Sequence, residues 1–474
     1  MTVWLTSPRL GLIPWLLGDC YTPLFQRFIF FQRIIMTSTL TDDLLAFLQA
    51  SPTPFHATKN VASELLAAGF EALDEREYWQ LTRPGKYFVT RNDSSIIAFQ
   101  LGAEAIAERG ARFIGAHTDS PCLKPKPYAD VHHQHYAQWG VEVYGGVLLN
   151  PWFDRDLSLA GKVSFTMGAG QVHHTLVDFD RPIAIIPSLA IHLDRDANNK
   201  RTINAQTDIP PITARAPQQL PDLLREQVMS SLSLEGDTQA KDINILAWDL
   251  SFYDTQAPST IGLLDEFICS ARLDNLLSCF LALRALLQAD SGADQWIVLN
   301  DHEEVGSTSS AGADGTMLQD ILMRVHPHEQ DRLRTMAHSM LISTDNAHGV
   351  HPNYPSKHDA QHGPILNDGP VIKINANQRY ATSSDSHAWF AHLCQTNDIP
   401  YQKFVTRSDM GCGSTIGPIT AAKLGIQTID VGAPTFAMHS IRETAGTEDA
   451  VHLLSALTHF LSLKQAPVSH AMMP

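Results

Sequence analysis

Hydrophobic and polar positions follow two patterns along this chain. Short, nearly unbroken apolar runs stand at 112–116, 295–300, 340–344 and 428–432. Runs of that length read as strands buried on both faces of a sheet. Helical spacing appears between such runs. Leu44, Leu45, Phe47 and Leu48 mark one helix, and 58–68, closed by Gly69, marks another. A third runs through Leu276, Phe280, Leu283 and Leu287. Strands are also expected at 87–90 and 95–99. From about 124 to 240 the pattern changes: 141–149, 162–167 and 172–177 look like strands separated by turns. There, 196–219 is rich in Asn, Thr, Pro and Gln and suits a long connection, and 220–234 suits a helix. The pattern predicts an α/β fold, a mixed central sheet flanked by helices, with a β-rich insertion. The expected division is 36–123 and 243–474 for the main domain and 124–242 for the insertion.

Residues 1–35 stand apart. Their apolar stretches, 4–17 and 25–35, are interrupted or flanked by Arg9, Arg27 and Arg33, and neither reaches the roughly 20 residues a membrane span requires. Met36 is followed by a polar Thr-Ser-Thr-Leu-Thr-Asp-Asp helix entry. The expectation is upstream translation outside the fold, with Met36 the functional start; an interfacial anchor is the alternative. Composition adds bounds. At 474 residues and 18% charged, the chain is globular and too long for one simple core. A net charge of −16 argues against general binding to nucleic acid or anionic membrane. Six scattered cysteines without a CxxC pair suit reduced thiols in a cytoplasmic protein.

The chemistry collects where apolar runs end. His117 and Asp119 follow 112–116, two apart, so they share a face of an extended chain. By itself His117 reads as a satisfied core histidine; with Asp119 beside it, it reads as an oriented metal ligand. Asp301-His302-Glu303-Glu304 follows 295–300. Most Glu-Glu pairs are solvated loops, yet adjacent side chains diverge, so one can hold a metal while the other moves protons. Asp345 ends 340–344, and His439 follows 428–432 after a loop. Asp274 heads a helix, either as an ordinary N-cap or aimed into a site. His132, His133, His135, His173 and His174 lie in polar or alternating contexts and read as surface residues. Five candidate ligands, His117, Asp274, Glu304, Asp345 and His439, are too many for one open tetrahedral ion. They suit two divalent ions sharing a carboxylate about 3.5–4 Å apart, with Glu303 left as general base. Oxygen and imidazole donors fit Zn²⁺, Mn²⁺ or Co²⁺.

The stretches SPTPFHA (51–57), GAHTDSPCLKPKP (115–127), YGGVLLNPWFDRDLSLAGKV (144–163) and RLDNL (272–276) resemble the aspartyl aminopeptidase family of metallopeptidases. So do HEEVGS (302–307), AHGVHPNYPSKHD (347–359), CGSTIGP (412–418) and GAPTFAMHSIRE (432–443), in the family's order. The resemblance implies that His117 and Asp345 bind one zinc ion, Glu304 and His439 the other, and that Asp274 bridges them. It implies Glu303 as general base and Asp119 as the group orienting His117. It also implies that the insertion is a dimerisation domain, that His192 of IPSLAIHLDR reaches a partner's active site, and that the chain assembles as a dodecamer. His192 itself reads as a half-buried strand histidine.

The implied activity is removal of the N-terminal residue from unblocked peptides, with Asp or Glu favoured. Lys373 and Arg379 are the candidate cations for an acidic side chain, and both also read as surface charges. MGCGSTIGP (410–418) looks like a bacterial-type member, in which neutral side chains are also accepted. The competing readings are a two-metal deacylase of N-acyl amino acids and a metal-stabilised assembly protein without turnover.

Overall fold

The four apolar runs form the parallel heart of a nine-stranded sheet. The computed structural model describes residues 39–467, apart from 106, 169, 234–242 and 291; the segment 1–35 lies outside the described residues. In the sheet, Gln295–Asn300, Arg112–His117, Met340–Thr344 and Gln427–Gly432 are neighbours in that order and all parallel. Their register sets Asn300 opposite His117 and Thr344 opposite Val431, so the four carboxyl ends come out on one edge. Gly85–Arg91 and Ser95–Leu101 extend one side antiparallel, and Val371–Ile374 runs antiparallel to Gln427–Gly432 on the other. The sheet is therefore mixed, as expected.

Alternation along the strands feeds two apolar layers. Ile114, Ile297, Ile342 and Ile429 pack under the helices Leu273–Gln288 and Thr447–Leu461 through Phe280, Leu453 and Leu457. On the opposite face Phe113, Trp296 and Phe99 meet the helix Met317–Val325. Trp296 stacks between Phe99 at 4.4 Å and Phe113 at 5.4 Å, ring centre to ring centre. The second expected helix begins earlier than its spacing suggested, at Pro54, because the Thr53 side chain caps it.

The β-rich insertion has its own core, including Trp139, Trp152, Leu159, Phe165 and Phe252. One of its sheets joins Cys122–His133, Tyr136–Tyr144 and Ile212–Ala214; the other joins Ile243–Asp254, Leu157–Met167 and Val172–Asp178. Ile243–Asp254 pairs along its whole length with Leu157–Met167. This strand thus belongs by its hydrogen bonds to the insertion, beyond the division expected after residue 242. The expected strand at 141–149 ends at Tyr144, because the chain turns out of the sheet at Gly145, whose φ is +73°. The expected helix at 220–234 runs Leu220–Ser231.

A five-stranded sheet lies at the carboxyl edge: Ser259–Ile261, Phe267–Ser270, Glu443–Gly446, Pro434–Phe436 and Ala347–His348. It matters because Asp274 follows its second strand, His439 links two others, and Asp345 precedes the last. Among the described residues no helix is long and apolar enough to cross a membrane. Trp296→Ala should lower stability by about 3–5 kcal/mol, the usual cost of emptying a large aromatic site. A urea titration followed by circular dichroism would show it as a reduced midpoint.

Candidate metal centre

Each candidate ligand reaches the site from a different element. His117 is the last residue of its strand, and Asp345 is the first residue after Met340–Thr344. Glu303 and Glu304 sit in the short 3₁₀ turn Glu303–Val305, entered through His302 at φ +64°. Asp274 precedes the regular part of its helix, with extended torsions (φ −85°, ψ 102°) and a cis peptide bond to Asn275. It caps nothing, so the ordinary N-cap reading of Asp274 does not hold. Its carboxylate turns into the site, where Oδ1 lies 3.4 Å from His117 Nε2 and Oδ2 lies 3.4 Å from His439 Nε2.

The other carboxylates complete two clusters. Asp345 Oδ1 is 3.6 Å from His117 Nε2, and Glu304 Oε2 is 3.3 Å from His439 Nε2. Three overlapping groups result: His117 with Asp274 and Asp345, Asp274 with Glu304 and His439, and His117 with Glu303 and Glu304. In each group the donor atoms lie within 4.8 Å of one another. Asp274 Oδ1 and Glu304 Oε1 are buried without a hydrogen-bond partner. Orphaned buried carboxylate oxygens are costly, and a cation is what would satisfy them. The donor set thus fits divalent ions.

The imidazoles are held from behind. His117 Nδ1 lies 3.0 Å from the Asp119 carbonyl, and His439 Nδ1 lies 3.0 Å from the Gly146 carbonyl. A carbonyl can only accept, so each Nδ1 carries a proton, and Nε2 is the nitrogen each ring turns toward the carboxylates. The Asp119 carboxylate, 3.4 Å from His117 Nδ1, also accepts the amides of Glu303 and Glu304 at 3.1 Å and the Tyr144 hydroxyl at 2.7 Å. Asp119 therefore fixes the glutamate turn as well as the histidine. Glu443 was not singled out in the sequence. It accepts the amides of Asp274 at 2.9 Å and His439 at 2.7 Å, locking two ligand-bearing backbones together. Its one sequence signal is a glutamate four residues beyond His439, inside the GAPTFAMHSIRE stretch.

Of three further candidates, Lys373 and His192 lie differently from their reading in the sequence. Lys373 is no surface charge: it is 2% exposed, and its ammonium donates to Asp345 Oδ2 at 3.1 Å and to the Asn346 carbonyl at 3.2 Å. Val371, Ile372 and Lys373 are all buried, so this strand is covered on both faces. Arg379 is exposed, in the turn after Val371–Ile374. His192 is neither half-buried nor in a strand; it is exposed in a turn, and the described contacts place it against none of the ligands. His132, His133, His135, His173 and His174 are exposed, as expected. The five cysteines among the described residues are free.

Burial lifts the Glu303 carboxyl to about 7, helped by the charges of Asp345 and Asp274 and opposed by His117. Burial, then the charge of Asp274, raises Glu304 well above the usual carboxylate range. Burial would lower His117, but hydrogen bonding to Asp119, Asp274 and Asp345 overrides it and raises the imidazole well above its ordinary value.

Residues 47–461 match the family described as aminopeptidase I zinc metalloprotease (M18). The chain belongs to the M18 family. A probable M18 family aminopeptidase 2 from Stutzerimonas stutzeri (strain A1501) is 56% identical over 438 residues, covering 91% of this chain and all of that relative. Ape4, solved by cryo-electron microscopy in its complex with Nbr1, superposes with a TM-score of 0.86 at 37% identity, over 90% of this chain and 86% of that one. An S. cerevisiae mApe1 dodecamer matches with a TM-score of 0.75 at 26% identity, over 89% and 95% of the two chains. As an M18 member, this chain is a metal-dependent aminopeptidase that hydrolyses peptide bonds.

Because His117 and Glu304 hold protons to higher pH than free side chains do, a cation must displace them. Adding Zn²⁺ to metal-free protein near neutral pH should therefore release protons. The affinity should rise with pH through that range and fall as pH is lowered. Calorimetric titrations in buffers of different ionisation enthalpy measure both.

Proposed function

We propose that this M18 enzyme works through two divalent ions, most simply Zn²⁺, held by His117 and Asp345 on one side and Glu304 and His439 on the other. Asp274 is shared between them. The observation that carries this reading is the division of the Asp274 carboxylate, one oxygen toward each histidine. Bound there, such ions supply Lewis acidity, polarising a scissile carbonyl and acidifying water.

The chain's own residues do the rest. Glu303 stands beside the proposed ligands, within reach of His117 and Glu304, and acts as the general base. It takes a proton from the attacking water and returns it to the leaving amine. Its raised pKa, about 7, suits a group that must do both near neutral pH. Asp119 keeps His117 and the glutamate turn in place. The surrounding carboxylates favour the ammonium of a free N-terminus, and N-acylation removes that charge, which sets this reading against the deacylase.

Acidic N-terminal residues are favoured, but not strictly. Lys373 is the buried cation beside the centre, and it already serves Asp345 and Asn346. Arg379, exposed in a neighbouring turn, is the weaker candidate. The β-rich insertion serves as a dimer interface, with His192 donated to a partner's site. Supporting this, His192 is flanked by Leu189, Ile191 and Leu193, exposed at 59%, 48% and 75%. Contiguous exposed apolar patches are a common mark of protein–protein interfaces. The assembly proposed is a dodecamer built on such dimers; the S. cerevisiae relative is a dodecamer.

Glu303→Gln should retain its metal yet lose at least about a hundredfold in kcat, the scale of a missing general base. Metal content by mass spectrometry and turnover on a free-amine peptide test this; near wild-type turnover would remove Glu303 from the role. On peptides beginning with Asp, Glu, Leu or Lys, kcat/KM should fall in the order acidic, neutral, basic. N-acetylated versions should not be cleaved.

A further inference from the structure

The turn that ends the expected strand at 141–149 leads straight to the metal centre. Leaving Tyr136–Tyr144, the chain crosses from the β-rich core to both histidines. The Tyr144 hydroxyl donates to Asp119 Oδ2 at 2.7 Å, and Asp119 backs His117. Two residues later the Gly146 carbonyl accepts from His439 Nδ1 at 3.0 Å, and the Leu148 amide donates to the His439 carbonyl at 3.1 Å.

The approach is tight at both glycines. A Cβ on Gly145 would stand 3.1 Å from the Glu304 Cβ, and one on Gly146 would stand 3.1 Å from His439 Nδ1. Gly145 also has φ +73°, which disfavours any side chain. His439 itself has φ +68°, costly for a residue with a Cβ, so its surroundings must impose that conformation. They do so on three sides: Glu443 at its amide, Leu148 at its carbonyl and Gly146 at Nδ1. Only the first comes from the catalytic domain.

We propose that the segment 144–148 is a positioning element for both metal-facing histidines, so that the β-rich insertion sets how tightly the catalytic domain holds its ions. This rests on the two-metal reading. Outer hydrogen bonds fix the tautomer and basicity of a ligating imidazole, and their loss typically costs about 10–100-fold in metal affinity. Gly146 acts directly on His439. Tyr144 acts one step removed: without its hydroxyl, Asp119 loses a donor and holds His117 and the glutamate turn less firmly. A segment that merely docked two domains would change stability alone.

The test uses the full-length chain as Gly146→Ala and Tyr144→Phe, beside wild type. Zn²⁺ affinity is measured by competition with a chromogenic chelator, the Co²⁺-loaded protein by its visible absorption, and the metal-free protein by thermal unfolding. Gly146→Ala should weaken one site about 10–100-fold and shift the Co²⁺ bands. Tyr144→Phe should weaken binding by a smaller factor, with metal-free unfolding close to wild type. Wild-type affinity and unshifted bands in Tyr144→Phe and in any Gly146→Ala that folds would overturn the inference while leaving the two-metal reading intact. If Gly146→Ala does not fold, Tyr144→Phe decides alone. A wild-type chain that takes up neither ion overturns both.

Discussion

The structure depends on a concentration of negative charge that the protein cannot neutralise by itself. Asp119, Asp274, Glu303, Glu304 and Asp345 converge at the sheet edge, and among the described residues His117, His439 and the ammonium of Lys373 stand against them. Burying like charges together is expensive, and paired or metal-bound groups are the usual resolution. The raised pKa values of Glu303 and Glu304 are the same cost seen in protonation. Metal binding and proton release are thus two descriptions of one equilibrium.

Rigid elements impose this convergence. Four parallel strands in register bring His117, the glutamate turn and Asp345 to one edge, where ligands bind in open α/β sheets. The five-stranded sheet delivers Asp274 and His439, and Glu443 ties their two backbones together. The insertion closes the arrangement from outside through Tyr144 and Gly146. Each proposed ligand is held by backbone or by a buried hydrogen bond, so little reorganisation is left to the reaction.

The sequence made some of this legible and concealed the rest for physical reasons. His117, Glu303, Glu304 and Asp345 stand directly after apolar runs, and a buried strand followed by a polar side chain is a strong local pattern. Asp274 was ambiguous because a helix cap and a ligand look identical until the backbone torsions are known. Lys373 was hidden because a lysine ordinarily marks an exposed position, and this strand is covered on both faces. Tyr144-Gly145-Gly146 continues the apolar run of 141–149, although paired glycines also mark a turn. His192 had no local signal, and it stands in an exposed turn.

The central claim is that Asp274 is shared between two ions. The most direct measurement is a crystal structure of zinc-loaded protein with anomalous difference maps collected on both sides of the zinc edge. The account predicts two peaks about 3.5–4 Å apart, with one Asp274 oxygen on each. A single peak, or two peaks of which only one contacts Asp274, would contradict it.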